Sequence, residues 1–185
     1  AFGMVSPPAV FMWGTLASML GFAAASWFCL RVMLPERQRY WAWLGALCLP
    51  SIYGMVDIFS FNEPFLTSRP FAETFSLVAI GLLVRQRHFL GLASLAVAGV
   101  FHPLQAIGAA FVIWPWLVMQ DRRWLHAAWL ALPVAGLALG GLAPFDGLFR
   151  IADPEWYAEL RYSPQIFVTL WNINDFKVLG FDVLV

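Results

Sequence analysis

The chain has 185 residues, 61% of them hydrophobic and only 12% charged, with a formal net charge of zero. A soluble domain carries roughly twice that charged share, and one core of this length cannot hide so much apolar surface from water. Mean hydropathy of +0.73 therefore argues against an ordinary soluble fold. The absence of any dense basic stretch argues against a nucleic-acid partner.

The predicted class is all-α: a polytopic helical integral membrane protein with short broken helices and a polar cleft on its outer face. A helix needs about 20 apolar residues to cross the hydrocarbon. The first such stretch, residues 10–30, ends at Arg31 and the polar turn Leu34-Pro35-Glu36-Arg37-Gln38-Arg39. The second covers residues 40–59 and leads into a polar loop, residues 60–70. The third covers residues 71–84 and ends at Arg85-Gln86-Arg87-His88.

The next apolar stretch is too long for one span and is interrupted by His102-Pro103. Proline removes a donor and disfavours helix in the residue before it. Two short helices, residues 89–101 and 104–119, are expected to meet there as a hairpin. A further span covers residues 124–143. A polar region over residues 144–177 then precedes an apolar run at 178–185. The whole reads as one membrane domain, an internal piece of a longer protein. Cys29 and Cys48 lie in apolar stretches, where they act as small hydrophobes, and no CxxC or HExxH spacing occurs.

This parse places Arg31, Arg37, Arg39, Arg85, Arg87, Arg122 and Arg123 in loops on one side. By the positive-inside rule that side is cytoplasmic. The expected location is the cytoplasmic membrane of a bacterium, with membrane lipids as surroundings. Most acids fall at the opposite face.

Three acids and an arginine, Asp57, Glu63, Arg69 and Glu73, crowd into one short segment of this charge-poor chain. Ionisable groups at membrane depth are costly and face a wet cavity or a partner. A carboxylate there can act as a general base or hold a divalent metal ion, and Arg69 can grip a phosphate through its planar fork. The plainer reading pairs Glu63 or Glu73 with Arg69 to tie the loop to the bundle. His102, with Gln105 one turn on, can bind a substrate phosphate or move a proton; alternatively His102 simply caps a broken helix. In the polar region, Asp153-Pro154-Glu155 can start a helix with Asp as N-cap and Pro at N1. Its Trp156 and Tyr157 can stack on a sugar, or belong to a solvated connector.

The run Glu63-Pro64-Phe65-Leu66-Thr67-Ser68-Arg69-Pro70-Phe71-Ala72-Glu73, then a helix, a basic turn and a helix ending at His102-Pro103, resembles bacterial polytopic proteins related to the GT-C glycosyltransferases. The resemblance covers roughly residues 40–119 and is one of layout. It implies transfer of a sugar from a polyprenyl-phosphate donor at the non-cytoplasmic face. It implies Glu63, Arg69 and His102 as positions to examine first. Two other readings come from different classes: a non-catalytic subunit that scaffolds partner membrane proteins, and a secondary transporter coupled to ions through Asp57 and Glu73.

Overall fold

The computed structural model describes residues 6–48, 52–53, 59–60, 63, 65–142, 153–163, 168–174 and 176–177. These are helical almost throughout. In order come α1 (Pro7–Met33), α2 (Glu36–Cys48), α3 (Arg69–Val84), α4 (His88–Phe101), α5 (Pro103–Gln120), a 3-10 helix (Arg122–Leu130), α6 (Ala131–Leu139) and α7 (Pro154–Leu160). A short 3-10 turn, Val168–Leu170, follows. The chain divides into two compact units, residues 1–53 with 57–113, and residues 54–56 with 114–185. The boundary falls inside α5.

Proline and loop chemistry set the ends of the elements. α1 and α3 each open with proline in the first turn, where the missing N–H costs nothing. α1 closes at Leu34, extended at φ −117 and ψ 148, because Pro35 disfavours helix in the residue before it. His102, at φ −154 and ψ 99, separates α4 from α5 for the same reason. α3 ends in a Schellman turn: Arg87 N–H donates to the Leu82 carbonyl and Gln86 N–H to the Leu83 carbonyl, both at 2.9 Å. Gln86 holds the left-handed position at φ 61, where glycine is the usual occupant.

Two expectations need correction. The predicted second helix, residues 40–59, stops at Cys48. Beyond it Ile52 pairs with Ser60 and Tyr53 with Phe59 in a two-rung antiparallel ladder, β1 (Ile52–Tyr53) and β2 (Phe59–Ser60). Apolar character carried that prediction too far, since Pro50 and Gly54 in the sequence both oppose helix. The predicted span at 124–143 is not one α-helix either: it begins as a 3-10 helix, and α6 supplies only nine residues. The apolar run at 178–185 lies outside the described residues.

In the first unit the helices approach closely because small residues line their interfaces. A Cβ on Gly81 would lie 2.6 Å from the Phe28 ring and 3.5 Å from the Cys29 Cα, so α3 runs tight against α1. A Cβ on Gly91 would lie 2.5 Å from Leu83 Cγ, which sets α4 equally close to α3. Ala72, Ala98 and Ala106 form a buried cluster of α3, α4 and α5, flanked by Phe75 and Leu95. Hydrogen bonds cross between helices as well: Ser94 Oγ donates to the Phe75 carbonyl at 2.8 Å, and Trp43 Nε1 to the Ala23 carbonyl at 2.9 Å.

Phe22, Leu83 and Ile113 are buried in this unit, but many other large apolar side chains point outward. Phe11, Met12, Trp13 and Leu20 of α1, Phe89 and Val100 of α4, and Leu104, Phe111 and Val112 of α5 are exposed. Two helices, Pro7–Met33 and Pro103–Gln120, are long and apolar enough to cross a membrane; the apolar α4 is shorter.

Candidate functional site

The first polar cluster lies just ahead of α3. Glu63 is buried, with 3% of its surface exposed. Arg69 donates from Nη1 to Glu63 Oε1 at 2.9 Å, and the Thr67 hydroxyl donates to Oε2. A buried carboxylate is tolerable only with such partners. Because Arg69 opens α3, the ion pair fastens the preceding loop to that helix, which is the structural role the sequence offered as the plainer reading. The Arg69 side chain keeps 36% of its surface exposed.

The second cluster lies one turn along α3. Glu73, 9% exposed, accepts a hydrogen bond from Gln105 Nε2 of α5 at 3.4 Å. Gln105 also donates its backbone N–H to His102 Nδ1 at 3.4 Å. The His102 carbonyl accepts from Ala106 N–H at 3.2 Å. His102 therefore caps the start of α5 with its ring and its backbone, satisfying donors that a helix N-terminus leaves open. Its ring nitrogen serves the helix break.

Glu73 and Gln105 stand at a cleft of about 420 Å³ in the first unit. Phe22, Ser26, Cys29 and Leu30 of α1 line it, with Ala46 of α2, Glu73, Ser76 and Leu77 of α3, and Gln105, Gly108 and Ala109 of α5. Its origin is geometric. The alanine cluster holds the start of α5 close to α3 and α4, and the small side chains of Gly108 and Ala109 leave space a turn further on. Ser76 Oγ is buried without a hydrogen-bond partner among the described residues, and the side chain is 7% exposed. Ser26 Oγ instead donates to the Ala23 carbonyl and accepts from Trp43 Nε1, at 3.0 and 3.2 Å. The cleft is thus apolar along most of its wall, with the Glu73 carboxylate, the Gln105 amide and the hydroxyls of Ser26 and Ser76 as its polar features. That lining suits an apolar ligand that carries a hydroxyl. A carboxylate brought within about 3 Å of that hydroxyl can accept its proton.

The sequence candidates therefore fall into separate groups. Glu63 joins Arg69, and Glu73 joins Gln105 and, through its backbone, His102. Asp57 lies outside the described residues. Trp156 and Tyr157 belong to the second unit, exposed on α7, whose N-cap Asp153 accepts from Trp156 N–H at 2.7 Å. No three His, Cys, Asp or Glu side chains gather among the described residues in a way that could hold a metal ion. Ser76 and Ser26 escaped the sequence reading. The available signal for Ser76 was its place three residues after Glu73, on the same face of a helix.

No protein-family model matches the chain, and neither a curated protein nor a solved structure matches it significantly.

Proposed function

We propose that this chain belongs to a polytopic membrane protein of the glycosyltransferase type, which moves a sugar from a polyprenyl-phosphate donor to an acceptor at the non-cytoplasmic face. Its membrane setting is supported by the number of large apolar side chains that lie exposed, among them Phe11, Trp13, Phe89, Phe111 and Trp129, while Ser18, Ser26, Ser76 and Ser94 are buried along with Phe22, Leu83, Ile113 and Leu117. A protein surrounded by water exposes fewer such side chains together, whereas helices in lipid associate through small and weakly polar residues. The observation that carries the activity is Glu73 at a largely apolar cleft of about 420 Å³.

In this mechanism the acceptor hydroxyl attacks the anomeric carbon. The bond from that carbon to the lipid-phosphate oxygen breaks, and the lipid phosphate leaves as an anion. Glu73 takes the hydroxyl proton. Gln105 orients the carboxylate, and Arg69 offers its remaining guanidinium donors to the phosphate. Glu63 holds Arg69 in place.

The test combines lipid analysis with a transfer assay on the full-length protein. Wild type is expected to co-purify with polyprenyl phosphate and to transfer sugar from the glycosylated lipid. Glu73→Gln should keep the lipid and lose transfer by about 10²–10⁴-fold, the usual weight of a general base. Recovery of bulk phospholipid alone from wild type, with no transfer, would reject the proposal. Uptake of a soluble substrate into proteoliposomes, driven by an ion gradient and abolished by Glu73→Gln, would put the transporter reading in its place.

A further inference from the structure

At the other end of the first unit, five arginines face a single carboxylate. Arg31 closes α1, Arg37 and Arg39 lie in the first turn of α2, and Arg85 and Arg87 lie in the turn between α3 and α4. Glu36 is the only acid among them. Arg31, Arg37, Arg85 and Arg87 are exposed.

Two consecutive residues of α1 hold these turns side by side. The Trp27 ring packs on Tyr40 at 5.0 Å and on Trp43 at 5.5 Å, which draws the start of α2 onto the end of α1. Next in the chain, Phe28 lies under the Arg85 guanidinium, 5.3 Å from ring centre to Cζ, and against Gly81 of α3. The α1–α2 turn and the α3–α4 turn thus each rest on the last turns of α1, through Trp27 and Phe28 respectively.

Arg39 differs from its neighbours. Its side chain is largely buried, it makes a 3.8 Å ion pair with the exposed Glu36, and its Nε has no partner among the described residues. It adds a further positive charge at the start of α2, next in the chain to Tyr40, a residue type suited to the headgroup level of a bilayer.

We propose that this arginine surface docks anionic phospholipid headgroups of the adjacent leaflet. The inference rests on the membrane reading above but is independent of glycosyl transfer. Guanidinium forks match phosphate oxygens in pairs. Each basic residue near an anionic leaflet strengthens binding by about fivefold, and the attraction falls off within a Debye length.

The experiment uses the full-length protein in bilayers of phosphatidylcholine mixed with phosphatidylglycerol, with native mass spectrometry to read the lipids retained. Wild type should hold phosphatidylglycerol in preference to phosphatidylcholine, and added salt should weaken the preference. Arg37→Gln with Arg87→Gln should lower it by about tenfold or more, since two basic contacts are lost. Adding Arg85→Gln should lower it further, although that change also removes the contact with Phe28. Arg161→Gln, in the second unit, is the control and should leave the preference intact.

Equal retention of both lipids by wild type, or an unchanged preference in the double variant, would overturn the proposal. Displacement of phosphatidylglycerol by millimolar inorganic phosphate would also overturn it, because the surface would then be a soluble-phosphate site. Failure of the protein to enter the bilayer would sink the membrane reading and this proposal together. Insertion without lipid preference would remove this proposal alone.

Discussion

Glu63 and Ser76 show two ways a polar side chain can be kept in an apolar setting. Glu63 has its charge matched by Arg69 and a further oxygen satisfied by Thr67, so its burial serves to fix the loop on α3. Ser76 has no such partner among the described residues. A buried hydroxyl left unsatisfied costs about 1–3 kcal/mol, and this one stands one turn from Glu73 at the cleft. Ser76→Ala is accordingly expected to raise stability by about 1 kcal/mol while weakening retention of the co-purifying lipid. Thermal unfolding and lipid mass spectrometry on the same samples would check both halves. A variant with lower stability and unchanged lipid content would make Ser76 a packing residue. The site was only half legible in the sequence. Charges in an apolar context announce themselves, so Glu63, Arg69 and Glu73 could be named. Which acid pairs with Arg69 depends on how the loop folds back, and a serine has no charge to single it out.

Among the elements, the closest approaches are made at glycines with no room for a methyl group. Leu83 is fully buried and cannot withdraw from a Cβ placed 2.5 Å from its Cγ, and the Ala79 carbonyl lies 3.3 Å away on another side. Gly91→Ala should therefore push α4 from α3 and cost about 1–3 kcal/mol, the range for overpacking a tight interface. Gly45 of α2 supplies the comparison, because nothing lies within 4 Å of its would-be Cβ. Gly45→Ala should be neutral or stabilise by up to about 1 kcal/mol through helix propensity. Chemical denaturation of the two variants in one detergent gives the order; equal effects would mean that α3 and α4 are not packed as described. Helix existence was readable from apolar runs cut by charged turns, and the α4–α5 break from Pro103. The end of α2 was signalled by Pro50 and Gly54 but overrun, because apolar residues continue past Cys48 into the ladder of β1 and β2. Hydropathy alone does not separate an apolar strand from an apolar helix.

For the molecule as a whole, sidedness follows from where its few charges lie. The helices of the first unit alternate in direction. The ends of α1 and α3 and the starts of α2 and α4 therefore share one end, and the start of α3 lies at the other. Five arginines sit at the first end, whereas the second has Glu63 and Glu73 with Arg69. If the first unit crosses a bilayer, the arginine-rich end stays cytoplasmic, and the cleft's Glu73 lies toward the opposite face. Ser68 and Gln86 report on the two ends, since both are exposed and α3 separates them by about 1.5 Å per residue. With Cys29 and Cys48 replaced, a single cysteine at position 68 should react with a membrane-impermeant thiol reagent applied to intact cells. A single cysteine at position 86 should react only after the membrane is opened. The reverse pattern would place the cleft on the cytoplasmic side and remove the non-cytoplasmic donor from the proposed reaction. Reaction of both positions in intact cells would mean that α3 does not cross the membrane. The many exposed apolar side chains would then need a protein partner to cover them, as the scaffold reading expects.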